Sequence, residues 1–146
     1  MSARAIVAGV AALALAGCGG SSPSMVKLRA RAARACTTAF AAGALIQAPP
    51  VPAATNAFLR RGIAVIRPEL ADLRTLRAPS EQAGAYSSAL AALARELTIL
   101  TATAHDLDDG ADPVTTVKTL QHRLAPVEGA SDAAWRTLGV SACLSR

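Results

Sequence analysis

YSSALAALARELTILTATAHDL, residues 86–107, is the stretch that decides the fold of this chain. Its apolar side chains recur at alternating intervals of four and three residues, a spacing that places them on one face of an α-helix. They are Tyr86, Leu90, Leu93, Leu97, Leu100, Ala104 and Leu107. Arg95, Glu96 and Asp106 lie off this stripe. The stretch therefore predicts a long amphipathic helix that must bury its apolar face against other helices.

Three further segments have helical spacing, although none is as regular. The first, from about residue 24 to Gln47, has a weak stripe of mostly small residues: Val26, Ala30, Ala33, Thr37, Phe40 and Ala44. The second begins near Thr55 and carries Leu59, Ile63, Ile66, Leu70 and Leu73. The fourth follows Asp112-Pro113, an N-cap and a proline that together signal a helix start, and carries Val117, Leu120, Leu124 and Val127.

Prolines separate these segments and interrupt two of them. Pro68 predicts a kink near Arg67, because proline removes a helix hydrogen bond and crowds the preceding turn. Pro126 and Gly129 predict that the fourth helix is broken in two. No segment alternates with a period of two residues over a useful length, so no sheet is expected. The sequence predicts an all-α fold, an antiparallel four-helix bundle with proline-kinked second and fourth helices.

The first eighteen residues differ in character from the rest. Arg4 precedes an apolar run over residues 5–16, and the run overlaps the string Leu15-Ala16-Gly17-Cys18. A dozen apolar residues are too few to span a bilayer, which requires about 20. This stretch resembles the signal peptide and lipobox of bacterial lipoprotein precursors. The resemblance implies cleavage before Cys18 and attachment of a diacylglyceryl group, palmitate among its acyl chains, to the Cys18 sulfur. An ordinary secretory signal is the alternative.

The resemblance also implies how the chain is divided. Residues 1–17 would be a cleaved signal peptide and residues 18–28 a lipidated, flexible tether that begins with small residues. Residues 29–146 would form the helical bundle domain. The protein would be held on the extracytoplasmic face of the cell membrane through lipidated Cys18.

Cys18 belongs to the expected anchor, which leaves Cys36 and Cys143 of the three cysteines. In an exported protein this even pair predicts a disulfide. The bridge fits an up-down-up-down bundle, in which the first and fourth helices are neighbours. Cys36 lies midway along the first helix, so we expect that helix to have a frayed start and to be ordered from about Arg29. The alternative, a metal or redox pair, lacks a C-x-x-C spacing and a nearby histidine.

Positive charge is concentrated in the first half of the exported chain. Residues 18–80 carry nine basic and two acidic side chains, whereas residues 81–146 carry five basic and eight acidic ones. Lys27, Arg31 and Arg34 share one helical face a few residues beyond Cys18. Two interpretations stay open. The three cations are either a basic stripe that lies against the membrane surface or an ordinary solvated helix face.

The sequence carries no recognisable catalytic or metal-binding motif. His105 and His122 lack the glutamate three residues earlier that a di-iron bundle requires, although haem ligation by a single histidine stays open. Ser24-Met25-Val26-Lys27 matches S-x-x-K, but the companion motifs of penicillin-binding enzymes are absent. No paired carboxylates are expected in a cleft. We predict no enzyme activity, no cofactor and no metal, and no nucleic acid partner because aromatic residues are scarce.

Three classes of function follow from these observations. The first is a cell-envelope lipoprotein that serves as a membrane-anchored, non-catalytic interaction or structural module for an unidentified envelope protein. The second is a carrier that binds a lipid or other apolar ligand in the bundle core, and the third is an enzyme without a known motif. A pocket lined by stripe residues favours the carrier. The general layout, with a cysteine soon after Leu138-Gly139, resembles small helical lipoproteins of high-GC Gram-positive bacteria.

Overall fold

A computed structural model describes residues 24–144, and this part of the chain contains helices and turns but no strand. The four α-helices are α1 (Met25–Gly43), α2 (Thr55–Arg74), α3 (Ala83–Asp108) and α4 (Pro113–Leu138). Short 3-10 turns span Pro52–Ala54 and Ser80–Gln82, and a third, called here the C-terminal turn, spans Ser141–Cys143. The expected signal peptide, Cys18 and most of the tether lie outside the described residues.

Contacts at both ends of the bundle show that α2 and α3 run in opposite directions. At one end the Tyr86 hydroxyl, near the start of α3, donates a hydrogen bond of 2.6 Å to the carbonyl oxygen of Leu73 at the end of α2. At the other end Asn56 and Arg60, near the start of α2, contact the Asp108 carboxylate at the end of α3. The predicted antiparallel four-helix bundle is confirmed.

The core consists of two clusters, and α1 contributes to only one of them. The first cluster surrounds the fully buried Trp135 and includes residues from all four helices and the C-terminal turn. From α1 it takes Leu28, Ala32 and Cys36. The second cluster contains residues of α2, α3 and α4 alone: Leu59, Ile63, Ala92, Ile99, Leu100, Ala104, Leu120 and Val127. A fragment of residues 24–146 therefore contains the whole described core.

The chain reverses direction after α4 because Gly139 adopts a left-handed conformation, with φ of +67°. The Arg29 side chain packs against this glycine. Its Nε also donates a hydrogen bond of 2.7 Å to the Leu138 carbonyl oxygen, one of the acceptors that a helix end leaves without an internal partner. The C-terminal turn is thereby directed back along α1.

The fourth helix differs from its prediction. α4 is a single helix of 26 residues that continues through Pro126 and Gly129, so the expected break is wrong. Proline removes only one backbone donor, while Leu120, Val127 and Trp135 on either side of it are buried. α2 likewise continues through Pro68. The bend at each proline stays a prediction.

The first helix also differs from its expected limits. α1 begins at Met25 and not near Arg29, so the expected frayed start is wrong. Leu28 is only 3% exposed, and its burial secures the first turn that the sequence assigned to the tether. The helix ends at Gly43, earlier than the predicted Gln47, although no proline intervenes.

Candidate ligand cavity between α1 and α2

The second half of α1 does not pack into the core. The buried residues of this helix end at Cys36, and the next large side chain, Phe40, is 56% exposed. Because the second core cluster takes nothing from α1, the space between this half of the helix and α2 is left unfilled. The result is the feature that we call the α1–α2 cavity.

The α1–α2 cavity has a volume of about 400 Å³, within the range of small-molecule sites. Its walls come from α1 and the residues after it, from α2, from one position of α3 and from the C-terminal turn. The lining residues are Cys36, Ala39, Phe40, Gly43, Ala44, Ile46, Gly62, Val65, Ile66, Glu69, Glu96 and Ala142. Most of them are apolar, and Phe40, Ala44 and Ile66 belong to the predicted apolar stripes.

Small residues on both helices create this space. Ala39 and Gly43 line it from α1, and Gly62 lines it from α2. Nothing lies within 4 Å of the position that a Cβ atom of Gly62 would occupy, and the same holds at Gly43. A glycine in the interior of a helix is unfavourable by about 1 kcal/mol relative to alanine, so Gly62 within α2 keeps this side of the cavity open at a cost in helix stability.

Two of the residues that line the cavity carry carboxylates. Glu69 of α2 is only 6% exposed, and Glu96 of α3 is half-buried. The sequence predicts no paired carboxylates in a cleft, whereas in the structure Glu69 and Glu96 line the same cavity. A signal for them existed, since each lies three residues after a stripe position, Ile66 or Leu93, and one before a stripe leucine. A residue with that spacing is expected at the edge of the buried face of its helix.

The predicted disulfide between Cys36 and Cys143 is present, with the two Cα atoms 5.1 Å apart. It joins α1 to the C-terminal turn and not to α4 itself. Both cysteines are buried, at 3% and 1% exposure. Because Cys36 lines the cavity and Ala142 precedes Cys143, the bridge fixes one edge of the cavity wall.

Apolar side chains at and beside the cavity wall are exposed to solvent. Phe40 and Ile46 line the cavity, and Leu45 lies between the lining residues Ala44 and Ile46 in the chain. Leu45 is 83% exposed and Phe40 is 56% exposed, while Ile46 beside them is half-buried. We call these three residues the apolar rim. Contiguous apolar residues on a soluble surface mark ligand-binding grooves or contact sites. The rim therefore extends the apolar character of the cavity to the surface beside it.

The other residues singled out in the sequence lie away from this cavity. Lys27, Arg31 and Arg34 are all exposed on α1, and the latter two border a groove that also includes Asp72 of α2. His105 and His122 are exposed as well. Because both histidines are exposed, neither of them lies in a buried site.

The described part of the chain contains no group of three or more histidine, cysteine or acidic residues arranged to hold a metal ion. None of its helices combines the length and the apolar character needed to cross a membrane. Comparison of the chain with protein-family models, with curated proteins and with solved structures finds no match.

Proposed function

We propose that this protein is a lipid-anchored, non-enzymatic protein of the cell envelope that binds a lipid or another apolar ligand in the α1–α2 cavity. The single observation that supports ligand binding is the cavity itself, which is mostly apolar, takes three of its lining residues from the predicted stripes and has exposed apolar side chains beside it. Sites of this size and composition hold one small molecule or one acyl chain.

The anchor part of the proposal rests on the string Leu15-Ala16-Gly17-Cys18. The Cys36–Cys143 disulfide supports an extracytoplasmic location, because structural disulfides persist in oxidising compartments. Metabolic labelling with a palmitate analogue tests the anchor. We expect label and membrane association in the wild-type protein and loss of both in Cys18→Ser. Equal labelling of the two proteins would exclude Cys18 as the lipidation site.

Ligand binding is tested with fragment 24–146 and an uncharged fluorescent probe, N-phenylnaphthylamine, whose emission rises in apolar surroundings. The deciding variant is Gly62→Leu. Its side chain enters the cavity, since no atom lies where the Cβ would be placed. The leucine side chain occupies space that the probe would fill, so we expect probe affinity to fall about tenfold or more, which is about 1.4 kcal/mol of binding free energy.

Two matched variants control for effects on folding. Gly62→Ala raises the helix propensity of α2 but adds only one methyl group, so it is expected to bind the probe like the wild-type protein. Gly129→Leu makes the same change as the deciding variant on α4, at a position that also has open space and does not line the cavity. Helical circular dichroism should be the same for all four proteins.

Native mass spectrometry of the same fragment, purified from a bacterial periplasm, would show a retained ligand as added mass. A wild-type fragment that neither binds the probe nor carries added mass would contradict the carrier proposal. The alternative function, an interaction or structural module of the envelope, would then be preferred. Equal probe affinity in the wild type and Gly62→Leu would place any apolar site elsewhere.

A further inference from the structure

The exposed charges of the bundle are separated along its long axis. Five exposed cations lie where α1 begins and α2 ends, and we call them the basic end: Lys27, Arg31, Arg34, Arg74 and Arg77. Four exposed acidic residues lie at the opposite end, where α3 meets α4: Asp106, Asp108, Asp109 and Asp112. The spacing of the sequence indicates only the three cations of α1, because the other two reach the same end of the bundle through the antiparallel packing of α2.

The contacts at this end place the cations of α1 beside the end of α2. Arg31 and Arg34 border the same groove as Asp72 and Thr75 at that end, and Arg74 and Arg77 lie close to these two residues in sequence. Among the described residues, no carboxylate lies within salt-bridge distance of any of the five cations.

Acidic side chains at the basic end are fewer than the cations. They are Asp72, Glu81 and Asp132. Asp132 is paired with Arg136 of its own helix at 3.0 Å, and so contributes little to the field beyond that pair. The basic end therefore presents a net positive surface to whatever lies next to it.

The basic end is also the end at which the chain enters the bundle. Ser24 directly precedes α1 and lies six residues after Cys18. Six residues span at most about 20 Å when fully extended. A lipid on Cys18 would therefore hold this end within about 20 Å of the bilayer, and the acidic end would be the farther one.

We propose that the basic end binds anionic phospholipid headgroups next to the lipid anchor. The position of the basic end next to the anchor rests on the proposed lipidation of Cys18. The affinity of the basic end for anionic lipid does not depend on that lipidation. A basic surface beside a lipid anchor adds electrostatic attraction to anionic lipids to the binding that the acyl chains supply. With the basic end on the membrane, the apolar rim, beyond the last turn of α1, is turned away from the bilayer and is open to a ligand.

The test uses fragment 24–146, which contains the described core and lacks Cys18. Because this fragment cannot be lipidated at Cys18, its failure to bind anionic vesicles would be distinguishable from a failure of the proposed lipidation. The measurement is co-sedimentation with vesicles of phosphatidylglycerol and phosphatidylcholine, and with vesicles of phosphatidylcholine alone, at low salt. The wild-type fragment is expected to bind the anionic vesicles and not the neutral ones, with binding weakened as salt is added.

The deciding variant is Arg31→Gln/Arg34→Gln/Arg77→Gln. Each basic residue near an anionic surface strengthens binding about fivefold, so this triple variant should bind about 100-fold more weakly. The matched control, Arg61→Gln/Arg95→Gln/Arg123→Gln, loses the same charge from exposed sites outside the basic end. It should weaken binding less than about tenfold, because only the overall charge changes.

Three outcomes would overturn the proposal. The first is a wild-type fragment that does not bind anionic vesicles at low salt. The second is equal binding to neutral and anionic vesicles, which would point to apolar insertion. The third is an equal loss in the two triple variants, which would show that net charge, and not the basic end, determines binding.

Discussion

Reduction of the Cys36–Cys143 disulfide is expected to remove a large share of the free energy of unfolding. The bridge joins residues 107 positions apart, and in the chain-entropy treatment a loop of that length restricts the unfolded chain by about 5 kcal/mol. Both cysteines are buried in the cluster around Trp135, so the oxidised and reduced proteins bury nearly the same atoms. For a domain of this size the midpoint of thermal unfolding should fall by about 20 °C.

The assay follows urea and thermal unfolding of fragment 24–146 by far-ultraviolet circular dichroism, with and without a reductant. Cys36→Ala/Cys143→Ala is the control, since its stability should not respond to the reductant. A difference below about 1 kcal/mol between the oxidised and reduced wild type would refute the entropic reasoning, because typical bridges contribute 2–4 kcal/mol. Two reactive thiols in the unreduced, denatured fragment would show that the bridge does not form.

Three further predictions concern single residues of the bundle. Burial raises the pKa of Tyr86 to about 12, above the usual value near 10 in the unfolded chain. The fold therefore favours the neutral phenol. The free energy of unfolding should be unaffected below about pH 10 and should fall by up to about 2–3 kcal/mol as the pH rises to about 12. The variant Tyr86→Phe should not show this pH dependence. Absorbance of tyrosinate reports this titration directly, because the chain has one tyrosine; a midpoint near 10 in the folded protein would contradict it. Ser131→Ala should raise the free energy of unfolding by about 1 kcal/mol in urea titrations, since the buried Ser131 hydroxyl has no hydrogen-bond partner among residues 24–144; destabilisation would show that the hydroxyl is satisfied. Asp112→Ala should lower the urea midpoint and Asp112→Asn should largely preserve it, because the Asp112 side chain accepts the Thr115 N–H at 2.9 Å; equal losses would show that the cap is not the cause.

The fold could be predicted because the apolar spacing of three segments is strong. The stripe of α3 is almost entirely buried or half-buried, and Asp112 caps α4 as its sequence indicates. The errors arose where local signals compete with packing. Pro126 predicts a break by its own chemistry, but tertiary contacts on both sides hold the helix together, and a single sequence does not show those contacts.

The disulfide could be predicted by counting cysteines, whereas the cavity could not be predicted. Its existence depends on where α1 leaves the core, which is decided by contacts between residues far apart in sequence. The same is true of Glu69 and Glu96, which come from different helices and meet only at the cavity wall. The basic stripe was recognised on α1, but Arg74 and Arg77 join it only through the antiparallel packing of α2.

The composition of α1 explains why the cavity lies where it does. The predicted stripe of Val26, Ala30, Ala33, Thr37, Phe40 and Ala44 is wrong, because all of these residues except Ala33 are exposed. The face that packs consists of Leu28, Ala32 and Cys36, and small side chains on it bury little area, so the helix is poorly held by packing alone. Three specific contacts secure its first half: the buried Leu28, the hydrogen bond from Arg29 to Leu138 and the disulfide at Cys36. Beyond Cys36 no residue of α1 is buried. The second half is therefore the wall of the cavity that can move without disturbing either core cluster, and a ligand has its least costly access on that side.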